Sequence, residues 1–556
     1  MSQAHATDHT PHTDTITTLS RALNAKLFTT KKDAAKYKLG NLQGMAQSLW
    51  LTSLTTDASG QSDRLKVVIT ADQNQLNQLA TELLFCGINA HVFPDWETLA
   101  YDALSPHQDI VAERIGLLTD MPRTGVLLIS VQTLGQRVAP AAWLVGQHFD
   151  WAVGARFDVV KERHRLALAG YRAVDNVFEP GEFAVRGSVV DLFAVGQPFP
   201  IRLDLFDDEI DSMRFFNPQT QRSLTQADLD ELRQTDPYQY ANLLRFAGQD
   251  VQQILGKIPS FQILPAKEFP LEAGKETFRA NFASRFPDAS ARRVEWHGDV
   301  MNGIAPPGIE YYQPLFFDPE LWQASSDFFS YLPTDSLLIV EENAATAYQH
   351  FYQQVSQRYE DRRHDSANPI LPPEDLYLTE GTLNDKIASY ARVLVSSQPV
   401  SERSGAVNAN TQTPPSLPVA HQLAEPLMHL LDFLKNHPIP TLLVAETAGR
   451  REILLDLLGK KLDVASVAGL PEFLQDFAQS PLDFSRQVAI TIAPIERGAW
   501  LPERFAIISE TQLFGRQVLQ TRRRRQSDVS DEFLVKSVSE LNIGDPVVHI
   551  DFGIGR

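Results

Sequence analysis

The chain has 556 residues and a formal net charge of −19, with 43% hydrophobic and 21% charged residues, which is ordinary for a globular protein of roughly three to four domains. So acidic a chain is a poor general DNA binder, because neutralising phosphates requires clustered Lys and Arg. No apolar run reaches the roughly 18 residues of a membrane span, and the single cysteine, Cys86, excludes a disulfide framework and favours a reducing cytoplasm.

The N-terminal region begins with polar residues 1–20, which predict a disordered tail. Between about 21 and 150, buried apolar strands then alternate with helical runs. "LKVVITAD" (65–72) predicts a strand, "QLNQLATELLF" a helix and "INAHVFP" (88–94) a second strand, and the pattern recurs at 125–140. This alternation predicts the first part of a parallel α/β domain, in which Cys86 is a small buried apolar residue.

The pattern changes over residues 151–223, where short β-rich runs are joined by turn residues. "FAVRGSVVDLF", "IRLDLFDDEI" and "SMRFFNPQT" predict a small antiparallel sheet, and the Gln-rich stretch 224–257 predicts a helical insertion. The segments 261–271 and 336–343 return to the buried-strand pattern. We therefore assign 224–343 to the second part of the α/β domain, and the β domain is predicted to be inserted between the two parts.

The C-terminal third begins with residues 344–424, which predict an irregular segment and linker because 398–418 is rich in Pro, Ser and Asn. Residues 425–515 again alternate strands with helices and predict a second small α/β domain. Residues 516–540 form a basic linker, and 541–556 begin a new strand pattern that stops at the last residue, which we interpret as the start of a truncated domain. Four consecutive arginines of the linker are possible DNA contacts: Arg522, Arg523, Arg524 and Arg525.

The stretch "PDWETLAYDALSPHQD" (94–109) gathers four carboxylates around aromatic residues and His107, which suggests a metal site or an acid–base catalyst. Metal sites need three or four convergent ligands, and these acids have no metal-ligand spacing. The structural interpretation is a helix cap, in which Ser105 caps a helix that begins at Pro106 with Asp109 in its first turn. We favour a scaffold, with an acid-dependent hydrolase as the alternative.

No complete G-x-x-x-x-G-K-[ST] motif occurs in the sequence. The closest stretch, "LGNLQGMAQSLW" (39–50), contains Gly40, Gly44 and Ser48, but Gln47 stands where the phosphate-binding Lys is required. Without that Lys the β- and γ-phosphates lose their direct cation. The sequence therefore predicts a degenerate, non-functional P-loop and no cofactor for this chain, with a residual NTPase as the alternative.

Six segments, in chain order, resemble the bacterial transcription-repair coupling factor family. They are "DWETLAYDALSPHQDIVAERIGLL" (95–118), "AGYRAVDNVFEPGEFAVRGSVVDLF" (169–193), "IRLDLFDDEIDSMRFFNPQTQRSL" (201–224), "ILPAKEFP" (263–270), "GIEYYQPLFF" (308–317) and "LNIGDPVVHIDFGIGR" (541–556). The N-terminal region of that family is similar to the excision-repair protein UvrB, a helicase-like α/β domain with an inserted β domain. The resemblance implies that 39–50 and 95–109 are remnants of a nucleotide domain retained as scaffold.

The resemblance also implies partners. The inserted β domain would dock the excision-repair protein UvrA, and residues 541–556 would begin a domain that contacts RNA polymerase. The ATP- and Mg-dependent DNA translocase of the family would lie beyond Arg556, so that DNA is bound weakly or through that missing motor. The family role is to recognise RNA polymerase stalled at a DNA lesion, displace it and recruit the repair machinery.

The expected UvrA-docking surface follows from the alternation of side chains along "IRLDLF". Ile201, Leu203 and Leu205 are predicted to face the core, while the three residues between and after them face outward. Protein interfaces favour Arg and aromatic anchors, whereas a solvated face needs no Phe. The alternative is a solvated sheet with its Phe packed under a loop. The predicted docking residues are Arg172, Arg186, Arg202, Asp204 and Phe206.

Overall fold

The computed structural model describes residues 23–24, 27–28, 35–56, 64–144, 147–235, 240, 243–244, 251–289, 294–420, 425–459, 462–476, 488–502, 504–515, 547–549 and 553–555. The chain divides into two units, residues 1–513 and 514–556. Within the described residues, no helix combines the length and the apolar character needed to cross a membrane.

A seven-stranded parallel sheet forms the centre of the first unit. Its strands are β1 (Lys36–Gly40), β2 (Leu65–Thr70), β3 (His91–Val92), β4 (Gly125–Ser130), β12 (Leu337–Glu341), β13 (Ala391–Val395) and β14 (Ala406–Asn408). Their order is β14–β1–β13–β12–β2–β4–β3. Strands from before residue 131 and after residue 336 thus lie side by side, with Leu337 opposite Lys66. The predicted α/β fold with an insertion between two parts is confirmed.

Helices cover both faces of this sheet, which explains why every residue of β2 is buried. One face is packed by Trp50, Leu54 and Leu79 from the first two helices, and the other by later helices and two 3₁₀ turns, Ile309–Phe316 and Phe328–Ser330. The helices are α1 (Ala46–Thr56), α2 (Gln73–Phe85), α3 (Gln108–Thr119), α4 (Val131–Gly135), α5 (Ala141–Leu144), α9 (Lys275–Arg285), α10 (Glu295–Met301), α11 (Pro319–Ser325), α12 (Ala344–Arg362), α13 (Pro373–Leu376) and α14 (Glu380–Ala388).

The prediction of an irregular segment over 344–424 is wrong. This region contains the 19-residue helix α12, two further helices and the strands β13 and β14. Within α12 the fully buried residues are Ala344, Tyr348 and Val355, so its apolar stripe is too thin to be visible as a helical pattern. Strand β14 lies in the Pro/Ser/Asn-rich stretch and is held by backbone pairing with β1, with Val407 opposite Leu39.

The inserted β domain contains a five-stranded sheet in the order β10–β9–β8–β7–β6, antiparallel except for the short β6–β7 pair. The strands are β6 (Arg172–Ala173), β7 (Glu182–Arg186), β8 (Val189–Leu192), β9 (Ile201–Phe206) and β10 (Glu209–Phe215). A separate antiparallel pair joins β5 (Phe149–Ala152) to β11 (Ser260–Ile263). The domain also holds α6 (Val159–Leu168), α7 (Gln226–Thr235) and α8 (Val251–Leu255).

Two predicted boundaries of this domain are wrong. The segment 261–271 begins with β11, which pairs with β5 instead of joining the parallel sheet. The helical stretch 224–257 buries Leu229, Leu243 and Ile254 in the same core as the five-stranded sheet, so its described part belongs to the inserted domain. Sequence pattern alone identifies a buried strand but not the sheet that it joins.

The small domain that follows contains a sheet in the order β16–β17–β15–β19–β18, parallel except for the last pair. Its strands are β15 (Thr441–Ala445), β16 (Val464–Ser466), β17 (Val488–Ile492), β18 (Ala499–Leu501) and β19 (Phe505–Ser509), and its helices are α15 (Met428–Asn436), α16 (Ala448–Leu458), α17 (Leu470–Asp476) and α18 (Glu510–Phe514). Met45, Leu49 and Cys86 share its apolar core, so α1 and the end of α2 pack against this domain. Burial raises the pKa of Cys86 to about 12, in agreement with its prediction as a buried apolar residue.

In the second unit the structure describes one antiparallel strand pair, β20 (Val547–His549) with β21 (Gly553–Gly555). The predicted tail 1–20 and the linker 516–540, with Arg522–Arg525, lie outside the described residues. Their predicted roles therefore stay predictions.

Candidate docking face and degenerate nucleotide loop

One face of the five-stranded sheet is apolar and the other is a network of charges. Ile201, Leu203 and Leu205 are buried in the domain core, as the alternation predicts. The register places Asp191 opposite Arg202 on the outer face. The outer face, defined by Arg172, Glu182, Arg186, Asp191, Arg202, Asp204, Phe206 and Arg214, contains all five predicted docking residues.

Arg202 lies on the outer face as predicted, but it is largely covered and bonded within the domain, and its role in docking stays a prediction. Its guanidinium donates two hydrogen bonds, of 2.6 and 2.8 Å, to the fully buried carboxylate of Asp191. Only 16% of the Arg202 side chain is exposed. It also donates to the Gln221 carbonyl at 3.0 Å and stacks 4.4 Å above the Phe216 ring. These hydrogen bonds to Asp191 raise the pKa of Arg202 above its ordinary value.

The other charged residues of the face are paired but more accessible. Arg172 contacts Glu182 at 2.5 Å with 69% of its side chain exposed. Arg186 donates to Asp191 and, at 2.5 Å, to the Asn176 amide oxygen, and 42% of it is exposed. Asp204 accepts hydrogen bonds from Arg214 and from Ser212. The face therefore presents arginines that are already oriented by carboxylates.

Two exposed phenylalanines lie beside this network of charged residues. Phe206 is 74% exposed, so the alternative in which it packs under a loop is wrong. Phe178 is 51% exposed, and its backbone N–H donates to the same Glu182 carboxylate that pairs with Arg172. Sequence reasoning missed Phe178. The signal was a phenylalanine inside the turn-forming stretch "NVFEPGE", where no core strand requires one.

The degenerate P-loop has the expected strand–loop–helix form, from β1 through residues 41–45 to α1. The polar groups of this loop form hydrogen bonds with distant residues of the same chain. The Met45 N–H donates to the Gly498 carbonyl at 2.9 Å, and the Asn41 amide donates to the carbonyls of Ala409 and Thr411 at 2.8 and 2.9 Å. A Cβ at Gly44 would lie 2.1 Å from the Gly498 oxygen. Residues 409–414 and the small domain thus fill the space above the loop.

Ser48, the residue that would hold Mg²⁺ in an intact P-loop, is buried and donates to Glu82 at 2.5 Å. The Glu82 carboxylate is fully buried and is held by Arg497 of the small domain at 2.7 and 3.0 Å. Burial raises the pKa of Glu82, and Arg497 and Ser48 partly offset this rise. Gln47 is half-buried in the first turn of α1. The loop has therefore become part of a domain–domain contact.

Side chains of the acidic stretch 94–109 form hydrogen bonds and an ion pair with other elements of the fold. Asp95 accepts from Thr133, Trp96 donates to Glu268, and Asp102 pairs with Arg358. The predicted Ser105 cap is wrong, because α3 begins at Gln108 and is capped by His107. The Ser105 hydroxyl instead donates to Glu310 and accepts from the Gly308 N–H, at the start of the 3₁₀ segment Ile309–Phe316. Asp109 does lie in the first turn of the helix. Among the described residues, no group of three or more His, Cys, Asp or Glu could hold a metal ion.

Comparison with known proteins agrees with this architecture. Residues 149–234 match the UvrB interaction domain family, and residues 433–513 match the MFD D3 domain family. The chain is 34% identical over 527 residues to a transcription-repair-coupling factor of Haemophilus influenzae and 32% identical over 523 residues to that of Escherichia coli. Each alignment covers 93% of this chain and 41% of the relative, so the chain spans about two fifths of the length of these proteins.

Proposed function

We propose that this chain, which belongs to the transcription-repair-coupling factor family, recruits the excision-repair protein UvrA through its inserted β domain. The observation that carries the proposal is the outer face of the five-stranded sheet. It lies within the residues that match the UvrB interaction domain, and it combines oriented arginines with the exposed rings of Phe206 and Phe178.

The chemistry of this face fits a specific protein partner. Interface hot spots are enriched in Arg and aromatic residues surrounded by polar groups that exclude water. Arg186 and Arg172 are held in position by Asp191 and Glu182, so that little side-chain entropy is lost when a partner carboxylate approaches. The two phenylalanines supply the apolar contact that the charged network lacks.

The test is titration of purified UvrA against the chain and its variants. We expect Phe206→Ala, Phe178→Ala and Arg186→Ala each to weaken binding by about 5- to 150-fold, because hot-spot truncations cost roughly 1–3 kcal/mol. Ile453→Ala is the matched control, since Ile453 is 49% exposed but lies on α16 of the small domain. Unchanged affinity in all three test variants, with melting curves like that of the original chain, would remove this face from the interface.

For the whole protein we propose the role that the family implies, namely coupling of stalled RNA polymerase to excision repair. RNA polymerase would be contacted through the domain that begins at 541, and ATP with Mg²⁺ would serve a motor outside this sequence. A residual NTPase or acid-dependent hydrolase is the competing proposal. Its candidate groups, Ser48 and Asp95, are already engaged by Glu82 and Thr133, which disfavours it.

A further inference from the structure

The five-stranded sheet of the inserted domain continues past its edge strand β10 onto residues 153–157, which the proposed function leaves unused. The Gly154 N–H donates to the Ile210 carbonyl at 2.8 Å, and the Ile210 N–H donates to the Ala155 carbonyl at 3.0 Å. Two residues thus oppose one residue of β10, as in a β-bulge. Residues 153–157 therefore act as a short additional strand, and they lie within the part of the chain that matches the UvrB interaction domain.

The pairing of this segment places Arg156, Glu209 and Phe206 in one row on the outer face. Arg156 pairs with Glu209 across one strand boundary, and Glu209 pairs with Phe206 across the next. Paired residues of neighbouring strands point to the same face of a sheet. The sequence neighbours Phe157 and Ile210 are buried in the domain core, in agreement with an outward-facing row. We call Arg156, Glu209 and Phe206 the edge row.

Both ends of the edge row are accessible to a partner. The Arg156 side chain is 87% exposed, and its guanidinium lies 3.3 Å from the Asp208 carboxylate, which is itself largely exposed. Phe206, the last residue of β9, is 74% exposed. Since neighbouring strands lie about 4.8 Å apart, the backbones of Phe206 and Arg156 are separated by about 10 Å. One partner surface can therefore contact both side chains.

The size of a stable interface indicates that a partner seated on Phe206 also covers Arg156. Such interfaces bury about 800 Å² on each partner and involve about 20–30 residues of each. Only every second residue of the short strands β6–β10 faces outward, so these strands supply too few residues on their own. Hot spots lie near the centre of an interface, whereas Phe206 lies one strand from the edge of the sheet. A contact centred on its ring must therefore cross β10 and reach the other end of the edge row.

We propose, on the premise of the proposed function, that the edge row extends the UvrA-docking surface across β10 and that Arg156 is a further contact residue. Arg156 pairs with a carboxylate of UvrA while Phe206 enters an apolar pocket of the same partner. An exposed ion pair such as Arg156–Asp208 contributes little to stability. Exchanging Asp208 for a carboxylate of the partner therefore costs the folded chain little.

Titration of purified UvrA against the whole chain tests Arg156 by charge reversal. We expect Arg156→Ala to weaken binding at least about fivefold and Arg156→Glu at least about twentyfold, the latter mostly through slower association, because charges at an interface margin act on the association rate. The matched control is Arg163→Glu, which changes the net charge equally at an exposed position of α6. Leu166 of that helix packs into the core beneath the inner face of the sheet, so the control should bind like the original chain. Melting curves of all variants should coincide with that of the original chain.

A thiol label locates the contact independently of charge. Cys86, the single cysteine of the sequence, is buried, so Arg156→Cys and Arg163→Cys each introduce one accessible thiol. A fluorophore attached at position 156 should change its emission when UvrA binds, and its bulk should weaken binding at least about tenfold. The same fluorophore at position 163 should do neither.

The variants of the outer face separate failure of this proposal from failure of the proposed function. If Phe206→Ala and Arg186→Ala weaken UvrA binding but the Arg156 variants and the label at position 156 do not, the docking surface ends at β10 and the proposal is wrong. Equal weakening by Arg163→Glu and Arg156→Glu would mean that UvrA responds only to net charge, which overturns the proposal as well. If Phe206→Ala and Arg186→Ala are also without effect, the proposed function fails and the proposal fails with it.

Discussion

Asp191 determines which arginine of the outer face is available to contact a partner. Its carboxylate is fully buried and is shared by Arg186 and Arg202, which approach it from neighbouring strands. A buried carboxylate is costly unless cations and hydrogen bonds compensate it, so Arg202 is committed to the fold. Arg186, which is more exposed and contributes a second contact, remains available to a partner.

The first prediction compares these two arginines. Arg202→Ala leaves Asp191 with only the half-exposed Arg186, and we expect it to destabilise the inserted domain by about 3–5 kcal/mol, the range for breaking a buried pair. Arg186→Ala leaves the bidentate Arg202 contact and should cost less than about 1 kcal/mol, as for a surface ion pair. Urea titration followed by tryptophan fluorescence measures both, since Trp151 lies in this core. Equal losses in the two variants would contradict this assignment of roles.

The outward orientation of these residues was predictable from sequence, whereas their pairing was not. The alternation of "IRLDLF" is enough to place Arg202 and Phe206 on the outer face. That Asp191 lies opposite Arg202 depends on the register between β8 and β9, which no local pattern specifies. Exposure of Phe178 depends on how its loop crosses the sheet, and so it too required the structure.

The loop after β1 keeps the strand–loop–helix form of a P-loop but lacks the free backbone N–H groups that bind phosphate. A P-loop binds phosphate because its backbone N–H groups are free to converge on the anion. Here the Met45 N–H is bonded to Gly498 and the Gly44 Cα faces the same carbonyl. The missing Lys was visible in the sequence, but the occupied space was not, because it comes from residues more than 350 positions away along the chain.

The second prediction concerns nucleotide. We expect no ATP·Mg binding by calorimetry at micromolar to millimolar ATP, and we expect Gln47→Lys to leave this result unchanged, because a restored cation does not clear Gly498 and Pro414 from the loop. An intact P-loop protein in the same buffer is the positive control. Micromolar ATP binding that disappears in Ser48→Ala would show that the loop is functional after all.

At the scale of the whole molecule, a few residues of the parallel α/β domain complete the core of the small domain. Met45, Leu49 and Cys86 pack among the strands of the small domain, and Arg497 reaches back to Glu82. Alternating strands and helices predicted both domains, because each buries its own sheet. Their contact was not predictable, since a helix such as α1 that is apolar on several sides does not reveal which sheet it covers.

The last prediction tests this contact through its pH dependence. In Arg497→Ala the largest influence that lowers the pKa of Glu82 is lost, so burial raises that pKa further above the ordinary value of 4.5. The folded state then binds a proton that the unfolded chain releases. Stability should therefore be retained below about pH 4.5 and should fall as pH rises through the raised folded pKa, more steeply than in the original chain. Melting temperatures measured from pH 5 to pH 8 should diverge accordingly.

Two further variants isolate the cause. Glu82→Gln combined with Arg497→Ala removes the titrating group, so the added pH dependence should disappear even if some stability is lost. Arg451→Ala removes an arginine of the small domain whose partner, Glu452, is largely exposed, and it should melt like the original chain at every pH. If Arg497→Ala loses the same stability at pH 5 and pH 8, the buried carboxylate does not determine how firmly the two domains are joined.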